Sequence, residues 1–176
     1  MAGVKDFTEL LFWQRARQLS KRIFFFTKRS PFASDKRLVV QINDSSESVI
    51  ANIAEGFGRG TQGEFIQFLG YALGSLNETQ AHLCASFDRE YITREEFAAE
   101  YQEATEIRKM AISFIRKMTM HGSGVKHVQK YVDWKAESWE RLERIAGVKK
   151  PKWLLEIERK KQEAQNEENN ALLRKD

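Results

Sequence analysis

At 176 residues, 31% of them charged, the chain is long enough for one compact core with length to spare. No apolar run approaches the ~18 residues a bilayer span requires, and the opening "MAGVKDFTELLF" carries acids where a signal peptide would not. A single cysteine, Cys84, excludes an intramolecular disulfide and leads to the expectation of a cytoplasmic protein, while the absence of short β-branched runs leads to an all-α fold.

The net charge of +4 is unevenly placed. Residues 1–30 hold seven basic and two acidic side chains (+5), 31–60 sum to −1, 61–121 to −3, and 122–176 to +3. Basic ends around a mildly acidic middle point to a nucleic-acid or acidic-protein partner.

The first predicted helix runs from Asp6 to Lys28, with Phe12, Ala16, Leu19, Ile23 and Phe26 as its apolar stripe. Trp13 and Phe24 lie more than 90° from that stripe, where a monomer exposes them, and they are therefore expected at an interface between copies of the chain. Its basic side chains form two rows: Arg15, Arg22 and Arg29 flank the stripe, whereas Arg17, Lys21 and Lys28 point away. A solvated charged face is one reading of these rows. The other is a surface for phosphate backbone, enlarged by repetition around an oligomer.

Pro31 breaks the chain, and Ser34 is the expected N-cap of a second helix reaching about Gly56. Its stripe is Val39, Ile42, Ser46, Ile50 and Ile53, with Val49 alongside. Ser45, Ser48, Ala51, Asn52 and Glu55 fall on the opposite side. The stretch "NIAEGFGRGTQGEF" follows, Asn52 to Phe65, and its glycines invite comparison with a phosphate-binding loop. A helix precedes it and no Gly-Lys-Ser/Thr is present, so it reads as a helix stop at Gly56, a turn through Gly58 and Gly60, and a restart capped by Thr61 with Glu64. Arg59 at the tip is a candidate phosphate contact.

The third helix carries Phe65, Phe68, Leu69, Ala72, Leu76, Leu83 and Phe87. Gly70, Gly74, Asn77 and Ala81 lie at its back. A glycine inside a helix costs ~1 kcal/mol relative to alanine, so Gly70 and Gly74 imply either a tolerant exposed face or a closely packed neighbour. With Ser48, Asn52 and Glu55 they complete the expected oligomer interface. Thr93 and Glu96 form a capping box opening a fourth helix to about Met120, with Phe97, Tyr101, Ala104, Ile107, Ala111, Phe114 and Met118 as its stripe. Four such helices with short connections predict an antiparallel up-down four-helix bundle over residues 1–121.

"HGSG", His121 to Gly124, reads as a hinge to a basic helical extension over 122–176, whose last, almost wholly polar part is expected to be either a solvated helix or disordered. Trp134, Trp139 and Trp153 interleave there with lysines and arginines, which suits base stacking, docking on a protein groove, or folding back on the bundle. Glu78 and His82 stand at i,i+4, but the Glu-x-x-His pair of carboxylate-bridged metal bundles is absent, so no metal and no cofactor is expected. No nucleophile–base–orienter set is found, so no enzyme is expected.

The stretch from Leu38 to Leu83 resembles the four-helix bundle family of ribosomal-RNA intervening-sequence proteins, which includes the accessory variability determinant of diversity-generating retroelements. The resemblance is carried by Gln41, Ser48, Asn52, Ile53, Ala54, Glu55, Gly56, Arg59, Glu64, Phe65, Gly74, Ser75, Leu76 and Glu78 in order. "FWQRARQLSKRIFFFTKRSPF" is similar to the family's first helix, so the likeness spans roughly residues 7–120. It implies a homo-oligomer, expected to be a pentamer around a central channel. For the retroelement branch it implies a non-enzymatic adaptor that binds a reverse transcriptase and its template RNA. The alternative is an interaction or assembly module without nucleic-acid binding. Backbone contacts are expected from Arg15, Arg17, Lys21, Arg22, Lys28, Arg29 and Arg59.

Overall fold

The computed structural model describes residues 4–120. After a single 3-10 turn at Phe7–Glu9, four helices follow: α1 (Leu11–Thr27), α2 (Lys36–Gly58), α3 (Gln62–Asp88) and α4 (Arg94–Met120). Each packs antiparallel on the next, and α4 closes on α1. Cross-helix bonds fix the register. Ser20 meets Ser46 and Thr27 meets Asn43 between α1 and α2, Thr79 meets Ser45 between α3 and α2, and Gln80 meets Thr105 between α3 and α4. The fold is the expected up-down four-helix bundle.

The predicted stripes supply most of the core. Phe12, Ala16, Leu19, Ile23, Ile42, Val49, Ile53, Phe65, Leu69, Leu76, Leu83, Phe97, Ala104 and Ile107 are all buried. Phe114 bridges Phe12 of α1 and Phe65 of α3 in a cluster of tilted and edge-on rings. Such ring pairs add ~0.5–1.5 kcal/mol each beyond the area they bury.

The helix ends follow local rules with three corrections. The first helix starts at Leu11, not Asp6, which caps the separate 3-10 turn instead. Thr61 caps α3 and Thr93 caps α4, each paired with the expected glutamate. Ser34 is not the cap of α2. It closes a 3-10 turn, Phe32–Ser34, and Asp35 takes the cap position, its carboxylate accepting from the Leu38 amide. That bond, together with the Arg89 and Tyr91 side chains, holds the Asp35 carboxyl below its ordinary value.

Gly56 does not end α2 either. The helix continues to Gly58, and the left-handed residue of the turn is Gly60, with φ of 77°. Gly56 is buried against α3, where a Cβ would lie 2.5 Å from the Cβ of Phe68. Its missing side chain lets α2 and α3 approach closely. Higher up the same seam, small hydroxyls continue the approach: Ser48 pairs with Ser75 at 3.0 Å and Ser45 with Thr79 at 3.1 Å. Ser45, expected on an outer face, is buried for this reason.

Candidate nucleic-acid interface

The basic residues of α1 divide between two environments. Arg15 and Arg22 stand seven residues apart, two helical turns, and so share one face of α1; Arg29, just past the helix end, faces α4 as well. Across from them α4 presents Glu103, Glu100 and Glu96 in antiparallel order, and each arginine takes one carboxylate. The Arg22 Nε donates to both oxygens of Glu100, at 2.8 and 2.9 Å, and that glutamate is only 4% exposed. Arg15 donates to both oxygens of Glu103, and this bonding raises the guanidinium above its ordinary value. Arg29 reaches Glu96, whose carboxyl is held below its ordinary value chiefly by that bond, with help from the Thr93 amide.

These arginines form a ladder that ties α1 to α4. Removing one partner of a buried pair strands the other charge in a poorly solvated place. Within the chain their charge is matched, most deeply for Arg22 on the buried Glu100, and withdrawing one exposes a carboxylate.

Arg17, Lys21 and Lys28 are on the other side of α1 and make no ion pair among the described residues. The Arg17 guanidinium stands 6.0 Å from the centre of the Trp13 ring, and the Lys28 ammonium 4.5 Å from that of Phe24. Trp13, Arg17, Lys21, Phe24 and Lys28 recur at spacings of 4, 4, 3 and 4, so two aromatic and three cationic residues share a single stripe. The sequence pattern alone assigns the rings to oligomer contacts and the cations to nucleic acid; the structure places both on one face. The spacing is the signal that joins them.

Trp13, Arg17, Lys21 and Phe24 of this stripe, with Phe7 and Ser20, form one wall of an open groove of about 560 Å³, with Glu47, Ile50, Ala51 and Ala54 of α2 opposite; Lys28 lies outside its lining. The Trp13 indole N–H donates to the Ile50 carbonyl at 3.2 Å, which anchors the ring at the groove's edge, and Phe24 remains 44% exposed.

The other expected site residues are scattered. Arg59 bonds Glu55 at 2.6 Å one turn away and sits over Phe68, on the surface at the α2–α3 turn. Bonding to Glu55 raises the Arg59 guanidinium above its ordinary value. Ser48 faces α3 of its own chain, and Asn52 donates back to Ser48. Gly70 and Gly74 lie on α3, away from the groove, and an added Cβ at Gly74 would meet nothing within 4 Å. Glu78 and His82 approach to 3.8 Å, and no group of three or more potential metal ligands gathers among the described residues. Among those residues, too, no helix is long and apolar enough to cross a membrane. Trp134, Trp139, Trp153, the hinge at 121–124 and the extension lie outside the described residues.

Residues 8–113 match the 23S rRNA-intervening sequence protein family. The chain belongs to that family. A crystal structure of a protein of unknown function from the S23 ribosomal protein family of Bacteroides thetaiotaomicron matches it at 30% identity with a TM-score of 0.55. That match covers 60% of this chain and 98% of the other. No curated protein matches. The intervening-sequence match runs from the first 3-10 turn into α4.

Proposed function

We propose that this intervening-sequence protein is a non-enzymatic, homo-oligomeric adaptor that binds nucleic acid through the outer face of α1. The observation that carries the reading is the division of one helix's cations: Arg15, Arg22 and Arg29 are matched by glutamates, while Arg17, Lys21 and Lys28 stand on the other face without a carboxylate partner among the described residues. Unmatched cations on a fixed scaffold bind a polyanion by releasing its counterions, with an affinity that falls steeply as salt rises. Arg59 fits as an outlying contact, because an exposed ion pair contributes only ~0–1 kcal/mol and exchanges readily for a phosphate.

Contact between copies is supported by the back of α3. Gly74 is not required by packing within the described residues, yet a helical glycine costs ~1 kcal/mol, so a neighbouring helix gives it a purpose. Half-exposed Tyr71 lies one turn away. A pentamer is the form the family likeness favours. The same likeness supports the finer role of accessory factor to a reverse transcriptase in a diversity-generating retroelement, for which a neighbouring reverse-transcriptase gene is the simplest check. The biochemical test is RNA binding by the full chain across a salt series. Steep weakening with salt is expected; absence of binding to any RNA or DNA at low salt leaves an assembly module instead.

A further inference from the structure

We infer that the α1–α2 groove takes the unpaired bases of a single strand, so that the adaptor selects single-stranded over duplex nucleic acid. The inference rests on the nucleic-acid reading above and gives it a substrate form. The groove offers what a single strand requires and a duplex does not use. Ala51 and Ala54 give its α2 wall small side chains, Trp13 and Phe24 line the α1 wall with Arg17 and Lys21 between them, and Lys28 stands outside the lining, over the Phe24 ring. Bases splayed from a strand stack on aromatic side chains while cations follow the backbone. In a duplex those faces are already stacked inside the helix, and only the cations remain useful.

In the free protein Arg17 and Lys28 rest over the rings. An entering base takes the Phe24 face, and Lys28 swings outward to the adjoining phosphate. The charge balance favours this occupant over a second copy of the chain. Protein interfaces are depleted in lysine at their centres, and covering Arg17 and Lys21 with protein leaves two desolvated cations to be matched. Among the described residues Glu47 is the only acid lining the groove, too few to match them. Glu47 also gives the proposal a sign: it repels the strand, so its removal strengthens binding.

The test compares an oligouridylate strand with a hairpin duplex of equal length by fluorescence anisotropy, using the full chain. Wild-type protein is expected to prefer the strand. Phe24→Ala, at an exposed position that leaves the core intact, is expected to weaken strand binding about tenfold and leave duplex binding and the salt slope unchanged. Glu47→Gln is expected to tighten both several-fold. Equal binding of strand and duplex, unaltered by Phe24→Ala while the salt slope persists, overturns the strand assignment and leaves the adaptor reading standing. A fall in oligomer mass for Phe24→Ala by light scattering also overturns it, because the groove is then a contact between copies. Failure of the wild type to bind either probe removes the adaptor reading and this inference together.

Discussion

Lys21 and Arg22 are neighbours in the chain and opposites in the bundle. Arg22 holds a buried glutamate in the α1–α4 seam through both oxygens, and Lys21 lines an open groove with no carboxylate partner among the described residues. The difference teaches that charge on a helix has no single meaning. Position on the helix decides whether a cation holds the fold together or remains available to a ligand. A helix with two basic rows can devote one to each purpose, because rows about 100° apart meet different neighbours.

The largest expected effect is on the seam. Arg22→Ala strands the Glu100 carboxylate and should destabilise the bundle by about 1–3 kcal/mol, below the fully buried limit because the arginine end is partly solvated. Lys21→Ala should stay within about 0.5 kcal/mol. Urea unfolding of the two variants checks the contrast, and equal midpoints would erase it.

The next effect sharpens the same contrast with pH. The folded state holds the Glu96 carboxyl below its ordinary value of 4.5, so its contribution is present above that value and disappears as pH falls through the lower, folded one. Glutamine keeps the capping box, so Glu96→Gln should be less stable than wild type at neutral pH only by the lost ion pair, about 0.5–1 kcal/mol. The gap should close in acid. Lys28→Gln, at a cation with no ion pair among the described residues, should show no such convergence because it starts with no gap.

The smallest stability effect concerns the back of α3. Gly74→Ala should raise helix stability by up to ~1 kcal/mol, because the added Cβ meets only open space among the described residues. If that face joins copies, the same variant lowers the oligomer mass in light scattering. A more stable protein with an unchanged mass would move the interface elsewhere.

The features of the fold that were legible in the sequence are those set by local chemistry. The four amphipathic periods, the Thr93–Glu96 box and the Thr61–Glu64 pair depend on residues within two turns of each other. What escaped depended on distant partners. Gly56 near a helix end reads locally as a stop, but its reason is Phe68 on the next helix. Ser45 falls outside the apolar stripe, yet a bundle helix touches two neighbours, so its buried arc is wider than one stripe.

The candidate site shows the same limit. The ladder pairs residues 67 to 88 positions apart, and a reading of α1 alone sees three basic residues with nothing opposite. Matching the Arg15, Arg22 and Arg29 spacing against Glu96, Glu100 and Glu103 on an antiparallel helix was the available signal. The groove stripe was visible as a spacing too, but sorting residues by type into aromatic and basic sets separated what the helix holds together.

The most direct measurement is the slope of log affinity for a single RNA strand against log salt, taken for variants of the two rows. Each phosphate left unneutralised flattens it by about 0.7, so Arg17→Gln, Lys21→Gln and Lys28→Gln combined should reduce the slope by about 2. Arg15→Gln with Arg29→Gln should leave it unchanged. An unaltered slope for the groove variant, or an equal reduction from the seam variant, would contradict the division of α1 into a structural row and a binding row.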